Sequence, residues 1–168
     1  EPEVVRHFVN LSVKNHHVDK DFYPLGSCTM KYNPKINDVI ASMSGFSGMH
    51  PGQLDSSSQG SLKLMSLLQD MLLKITGMDS ITLQPSAGSQ GEFVGLLMMK
   101  KFHNKKGNEK DHIIIPETAH GTNPASVILA GYKTVQVKTD IRGRVDINDL
   151  KSKTNSQTAG MMLTQPNT

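Results

Sequence analysis

The stretch DHIIIPETAHGTNPASVILAGYKTVQVKTD (111–140) decides the fold. It opens with DHIIIP (111–116), a short apolar run rich in β-branched residues, which reads as a buried strand. NPASVILAG (123–131) has an Asn-Pro helix opening and Gly131 as a stop. YKTVQVKTD (132–140) then alternates around Val135 and Val137, as a second strand does.

The same rhythm extends both ways. Downstream, VDINDLKSK (145–153) is a weak helix with Asp146 as its cap, and GMMLTQP (160–166) is another buried strand. Upstream, SAGSQGEFVGLLMMKKFH (86–103) begins with small residues and becomes helical, after ITLQ (81–84), a short strand candidate. LKLMSLLQDMLLKITGM (62–78) is the clearest helix, with Leu64, Leu68, Met71, Leu72 and Ile75 at helical spacing and Gly77 as its stop. GFSGMHPGQLDSSSQG (45–60) reads as loop, NPKINDVIASM (33–43) as a short helix capped by Asn33, and PEVVRHFVNLS (2–12) as an N-terminal helix. DFYPLGSCTMKYNP (21–34) has almost no apolar periodicity. Strands separated by helices of this length argue for an α/β fold, a mostly parallel sheet with flanking helices. In such sheets ligands bind beyond the carboxyl ends of the strands. Chemistry is therefore expected in QPSAGSQGE, PETAHGTNP and TQPNT.

Composition narrows the function classes. The 168 residues suit one domain by length, and 36% hydrophobic with 20% charged residues supports a packed core. No run approaches the apolar length of a membrane span, and EPEVVRHFVN lacks the apolar segment of a signal peptide. The net charge of +3 is mild, its basic residues gather at KKFHNKKGNEK (100–110), and aromatics are only 5%. No nucleic-acid partner is expected from that pattern. The single cysteine cannot form an internal disulfide, which fits a reducing compartment.

Three constellations can carry chemistry. In QPSAGSQGE (84–92), Ser86, Gly88, Ser89 and Gly91 open a helix, so backbone amides can approach an anion closely. A phosphate suits such a site, and a tight connecting turn is the plain alternative. In PETAHGTNPAS (116–126), His120 can stack on a flat ring, transfer a proton or simply bond to backbone. No second ligand stands at metal spacing, so no metal is expected. Glu92 and Glu117 are further acid/base candidates, and His50 sits in a glycine-rich loop before Pro51. Cys28 lacks a neighbouring base, and Lys31 can bind an anion or be an ordinary loop residue.

Taken together, YPLGSCTMKYNPK, GMHP, ITGMDSITLQPSAGSQGE, IIIPETAHGTNPAS and MLTQPNT resemble the glycine decarboxylase P-protein family of the glycine cleavage system, nearest to subunit 2 of its two-subunit bacterial form. The resemblance runs from Glu1 to Thr168 and implies a partial fold-type I pyridoxal-phosphate transferase fold, similar to aspartate aminotransferase. It implies residues 1–60 as an N-terminal arm with active-site-mouth loops, and 61–168 as the first part of the large cofactor-binding domain. The activity it implies is pyridoxal-phosphate-dependent decarboxylation of glycine, with the aminomethyl group passed to the lipoyl arm of H-protein. Ser86, Ala87 and Gly88 match the phosphate-cradling loop, with Gln90 beside it. His120 matches the ring-stacking histidine, and Asn167 an asparagine that reaches the cofactor's 3-hydroxyl, with Asn123 and Thr122 as weaker candidates. Ser27, Cys28, Thr29 and Lys31 match a loop at the active-site mouth that meets glycine or the lipoyl arm, with His50 also placed there.

Departures from the family pattern are Gly52, Leu54 and Gln165. The Asp-x-His-Lys block bearing the Schiff-base lysine does not occur in these 168 residues. The resemblance therefore implies an N-terminal portion of a larger enzyme, inactive alone and unable to attach the cofactor covalently. Expected partners are the other P-protein subunit, lipoylated H-protein and glycine, in an oligomer without a membrane. The expected location is bacterial cytoplasm, or the mitochondrion for a eukaryotic source. The rivals are another fold-type I decarboxylase and a non-catalytic assembly or regulatory subunit of the same complex.

Overall fold

A computed structural model describes residues 1–22 and 31–165. They form two compact units, Glu1–Leu83 and Gln84–Thr168. The first holds α1 (Pro2–Ser12), α2 (Lys35–Ala41), α3 (Ser44–Ser47), a 3-10 turn (Asp55–Ser57) and α4 (Gln59–Thr76). The second holds α5 (Gly88–Lys105), β1 (His112–Pro116), α6 (Thr122–Leu129), β2 (Lys133–Val137), α7 (Ile147–Lys153) and β3 (Thr158–Met161).

The second unit carries the sheet, in the order β2-β1-β3 with both pairings parallel. β1 is central and all five of its residues are buried, as an uninterrupted apolar run covered on both faces requires. Ile113 and Ile115 pack with Leu96 of α5, Val127 of α6, Ala130 just after it, and Tyr132. Ile114 alternates to the opposite face and is 1% exposed. The β1–α6–β2 path is thus a crossover between parallel neighbours, the connection such pairing demands.

α5 and α6 run side by side in the same direction. The Ser126 hydroxyl donates to Glu92 Oε2 at 3.3 Å near their starts, and Lys100 Nζ donates to the Ala130 carbonyl at 2.9 Å near the end of α6. That lysine also reaches the Gly131 carbonyl at 3.2 Å, so it supplies the cation that a helix C-terminus favours. Gly131 has φ +75°, and an added Cβ would lie 2.5 Å from Lys100 Nζ. Glycine is the residue that permits both the turn and the cap.

Several sequence-based expectations need correction. α2 starts after Pro34, and Asn33 accepts from the Asn37 side chain at 2.7 Å rather than capping the helix. The expected loop 45–60 contains most of α3 and the 3-10 turn. ITLQ (81–84) forms no strand. The last strand is Thr158–Met161, earlier than 160–166. It is held at its start by His112, whose Nδ1 is 2.7 Å from Asp111 and Nε2 2.8 Å from the Thr158 hydroxyl. α7 begins as expected, with the Asp146 carboxylate accepting from the Asn148 and Asp149 N–H groups.

The carboxylates of this unit set its acid response. The Thr139 hydroxyl and N–H hold Glu117 below its usual value, and the Arg144 N–H and guanidinium do the same for Asp140. Lys153 and the Lys138 N–H lower Asp149, and His112 and Lys133 lower Asp111. A depressed folded-state pKa contributes stability that is complete above the unfolded values, 3.8 for Asp and 4.5 for Glu, and disappears as pH falls through the folded ones. Urea midpoints read from the sheet's amide exchange should therefore be flat from pH 7 to 5 and fall below pH 4 (about the unfolded carboxylate range). Asp140→Asn should flatten that fall. An acid limb that Asp140→Asn leaves unaltered would remove Asp140 from the account.

Candidate functional site

Because α5 and α6 lie parallel, their N-termini point to the same end of the unit. α6 follows from the carboxyl end of β1, the end beyond which parallel sheets generally bind ligands. Ser86, Ala87, Gly88 and Gln90 stand at the α5 start, and His120, Thr122 and Asn123 at the α6 start. Two segments separated by a helix and a strand thus start helices that point the same way.

At α5, Ala87 is the N-cap with extended backbone and gives no side-chain cap. The N–H groups of Gly88 and Ser89 precede the first intrahelical bonds, since the Gln90 and Gly91 N–H groups are the first to bond back, both to the Ala87 carbonyl. Ser86 donates its N–H to Gln90 Oε1 at 2.8 Å, and its hydroxyl to the same oxygen. Residues 86–90 are all exposed. Backbone donors, a hydroxyl and the positive end of an 18-residue helix form a donor set suited to an anion.

At α6, His120 is exposed and Nδ1 faces the Thr122 N–H at 3.2 Å and the Thr122 hydroxyl at 2.7 Å. A backbone N–H only donates, so Nδ1 is the acceptor and the ring proton sits on Nε2. The imidazole is thereby fixed in tautomer and tethered at one edge. Asn123 is not the cap expected of an Asn-Pro opening: Gly121 is the N-cap, and Asn123 lies inside the first turn, 4% exposed.

Glu117 and Glu92 are occupied by structural partners. Glu117 Oε1 accepts from the Thr139 N–H at 2.6 Å and from its hydroxyl, joining the carboxyl ends of β1 and β2. Glu92 accepts from buried Ser126. Thr122 and Thr139 carry little sequence signal of these roles, because each acts through a neighbour chosen by the fold.

In the first unit, Lys31 and His50 are exposed, and His50 Nδ1 accepts from the Gly52 N–H at 3.0 Å. Ser27, Cys28, Thr29 and Asn167 lie outside the described residues. A hollow of about 710 Å³ beyond the ends of β2 and β3 involves Asp140, Arg144, Asp146, Leu163 and Gln165, of which only Gln165 falls in a stretch expected to carry chemistry. Arg144 is paired there with Asp140 at 2.8 Å. Among the described residues no group of three His, Cys, Asp or Glu could hold a metal ion, and no helix is long and apolar enough to cross a membrane.

No family model matches the sequence. Over all 168 residues it is 56% identical to a protein of Chloroherpeton thalassium named probable glycine dehydrogenase (decarboxylating) subunit 2, of which it covers 34%. It is 56% identical, again over the whole chain, to the protein of that name from Staphylococcus saprophyticus, and covers 34% of it. The chain thus spans about a third of the length of the curated relatives it matches. Among solved structures, a glycine decarboxylase (P-protein) of the glycine cleavage system in inhibitor-bound form aligns with 86% of this chain and 32% of its own, at TM-score 0.62 and 16% identity. Mouse CSAD aligns with 79% of this chain and 30% of its own, at TM-score 0.56 and 12% identity. At such identities the two likenesses speak to fold, and they agree with the expected α/β architecture.

Proposed function

We propose that this chain, homologous over its whole length to part of glycine dehydrogenase (decarboxylating) subunit 2, supplies one wall of a pyridoxal-phosphate site for glycine decarboxylation. What supports this reading is that the helix started by Ser86–Ala87–Gly88 and the helix started by Gly121, next to His120, run in the same direction, the second leaving the carboxyl edge of the parallel sheet. The donor set fits the cofactor: backbone N–H groups and a hydroxyl for the phosphate, and a tethered flat ring for the pyridine.

The cofactor, when bound, supplies the electron sink that decarboxylation needs. The chain's own residues bind and orient it. The Gly88 and Ser89 N–H groups with Ser86 take the phosphate, and Gln90 borders that cradle. His120, fixed by Thr122, covers one ring face, and the family resemblance assigns Asn123 and Asn167 to cofactor binding as well. By the same resemblance Ser27, Cys28, Thr29, Lys31 and His50 are assigned to recognition of glycine or the lipoyl arm of H-protein. Residues 1–60 serve as the arm and 61–168 as the start of the large domain. The other P-protein subunit and H-protein are the partners. These 168 residues alone are inactive, since the lysine of the Asp-x-His-Lys block is not among them.

The test is glycine-dependent carbon dioxide exchange by the full-length protein with its partner subunit, compared with the 168-residue chain. Activity is expected in the first and none in the second. His120→Ala should weaken cofactor binding by roughly 2- to 10-fold, the worth of an aromatic stack, read by absorbance titration of the apoprotein. Exchange by the 168 residues alone, or unaltered cofactor affinity in His120→Ala, would sink the assignment. A non-catalytic assembly role draws support from α1, where Val4, Val5, Phe8 and Val9 are each more than half exposed. Absence of exchange by the full-length protein with its partner would bring that role forward.

A further inference from the structure

Gln90 turns its side chain back across the first turn of α5 to Ser86. It is the third residue of the helix, the position from which a glutamine reaches back in a capping box. Here it reaches past the N-cap, Ala87, to the residue before it. Since the Ser86 N–H can only donate, the carbonyl end of the amide must face it, and Nε2 points elsewhere. One oxygen therefore takes both donors that Ser86 can offer to an anion. The Ser86 hydroxyl has a single hydrogen, so it cannot serve Gln90 and a phosphate together.

We propose that Gln90 is a displaceable stand-in for the phosphate: it holds the Ser86 donors while the cradle is empty and yields them when a phosphate monoester enters. This rests on residues 86–88 being the phosphate cradle. With Gln90 in place the donors are satisfied and the loop keeps its shape. Entry of the phosphate breaks two hydrogen bonds to a neutral amide and replaces them with charge-assisted ones, which are roughly twice as strong. Binding still requires the open arrangement, so the measured affinity is lowered by the fraction of molecules in which Gln90 is swung away.

Gln90→Met keeps the length and helix propensity of the side chain and removes the acceptor. In the full-length apoprotein it should bind pyridoxamine 5′-phosphate about 3- to 10-fold more tightly, the scale of one or two neutral hydrogen bonds. Pyridoxamine, measured in the same equilibrium dialysis, should show no change. Without ligand the variant should melt slightly lower, because a cap has been lost. Ser86→Ala tests the parent assignment separately and should weaken the phosphorylated probe alone. If Ser86→Ala binds both probes as the parent does, the cradle is wrong and the stand-in role falls with it. If Ser86→Ala weakens binding as expected but Gln90→Met leaves it unaltered, Gln90 is only a helix cap. Weaker binding by Gln90→Met would make Gln90 a direct phosphate ligand, again against displacement.

Discussion

Ile113→Ala should cost the second unit about 2–5 kcal/mol, the range for truncating a buried isoleucine. Ile113 is 0% exposed at the centre of the three-stranded sheet, pressed between α5 and α6 through Leu96, Val127 and Ala130. None of these neighbours can move into the space without losing its own contacts, because Lys100 ties the end of α6 to α5. The effect should be local and legible as faster amide exchange across 112–116 in the full-length protein, by about thirtyfold or more at 1.4 kcal/mol per tenfold. Ile114→Ala should do the same through the opposite face. An increase below about fivefold, or roughly 1 kcal/mol, would mean that β1 is not the core strand its burial indicates.

The elements that sequence discloses best are those whose signal is their own. HIIIP carries three consecutive isoleucines, so burial on both faces follows from composition alone, and the Asp146 cap and the Gly77 and Gly131 stops need only local stereochemistry. β3 is harder. Its start is set by the His112–Thr158 bond and its register shifts between His112 and Ile113, so its limits depend on a strand far away in sequence. ITLQ has strand-like residues, yet here the Ile81 carbonyl accepts from the Gln69 side chain of α4, and the segment joins no ladder. The site divides similarly. Small residues at a helix start advertise the Ser86–Gly88 cradle, and His120 stands out beside it. The Glu117–Thr139 clasp and the Thr122 tether do not, because a threonine bonding a neighbour leaves no pattern. Asn123 misleads for a related reason: Asn-Pro suggests a cap, whereas the helix begins two residues sooner than that cap would set it and buries the asparagine.

The largest effect on ligand binding is expected from Ser86→Asp. The substitution removes a hydroxyl donor and sets a carboxylate beside the seat proposed for a phosphate, which carries nearly two negative charges at neutral pH. Two unit charges 4 Å apart repel by about 4 kcal/mol at the effective dielectric of a protein surface, and less where water enters as freely as it does at this exposed loop. A loss of about a hundredfold in affinity for pyridoxamine 5′-phosphate, roughly 2.7 kcal/mol, is therefore expected in the full-length apoprotein. The interpretation is protected by the sign of the same charge on stability. An acidic group next to a helix N-terminus stabilises the helix by about 0.3–1 kcal/mol, and α5 has no acidic residue in its first turn to compete with it. The variant should thus melt close to the parent, the charge offsetting the lost hydroxyl bond to Gln90, while losing the phosphorylated probe and keeping its weak affinity for pyridoxamine. Raising the salt concentration should recover part of the loss, since exposed charges are screened within about 10 Å at 0.1 M. Retention of parental affinity would show that the phosphate lies elsewhere, and the α5 start would then be an ordinary helix opening despite its glycines.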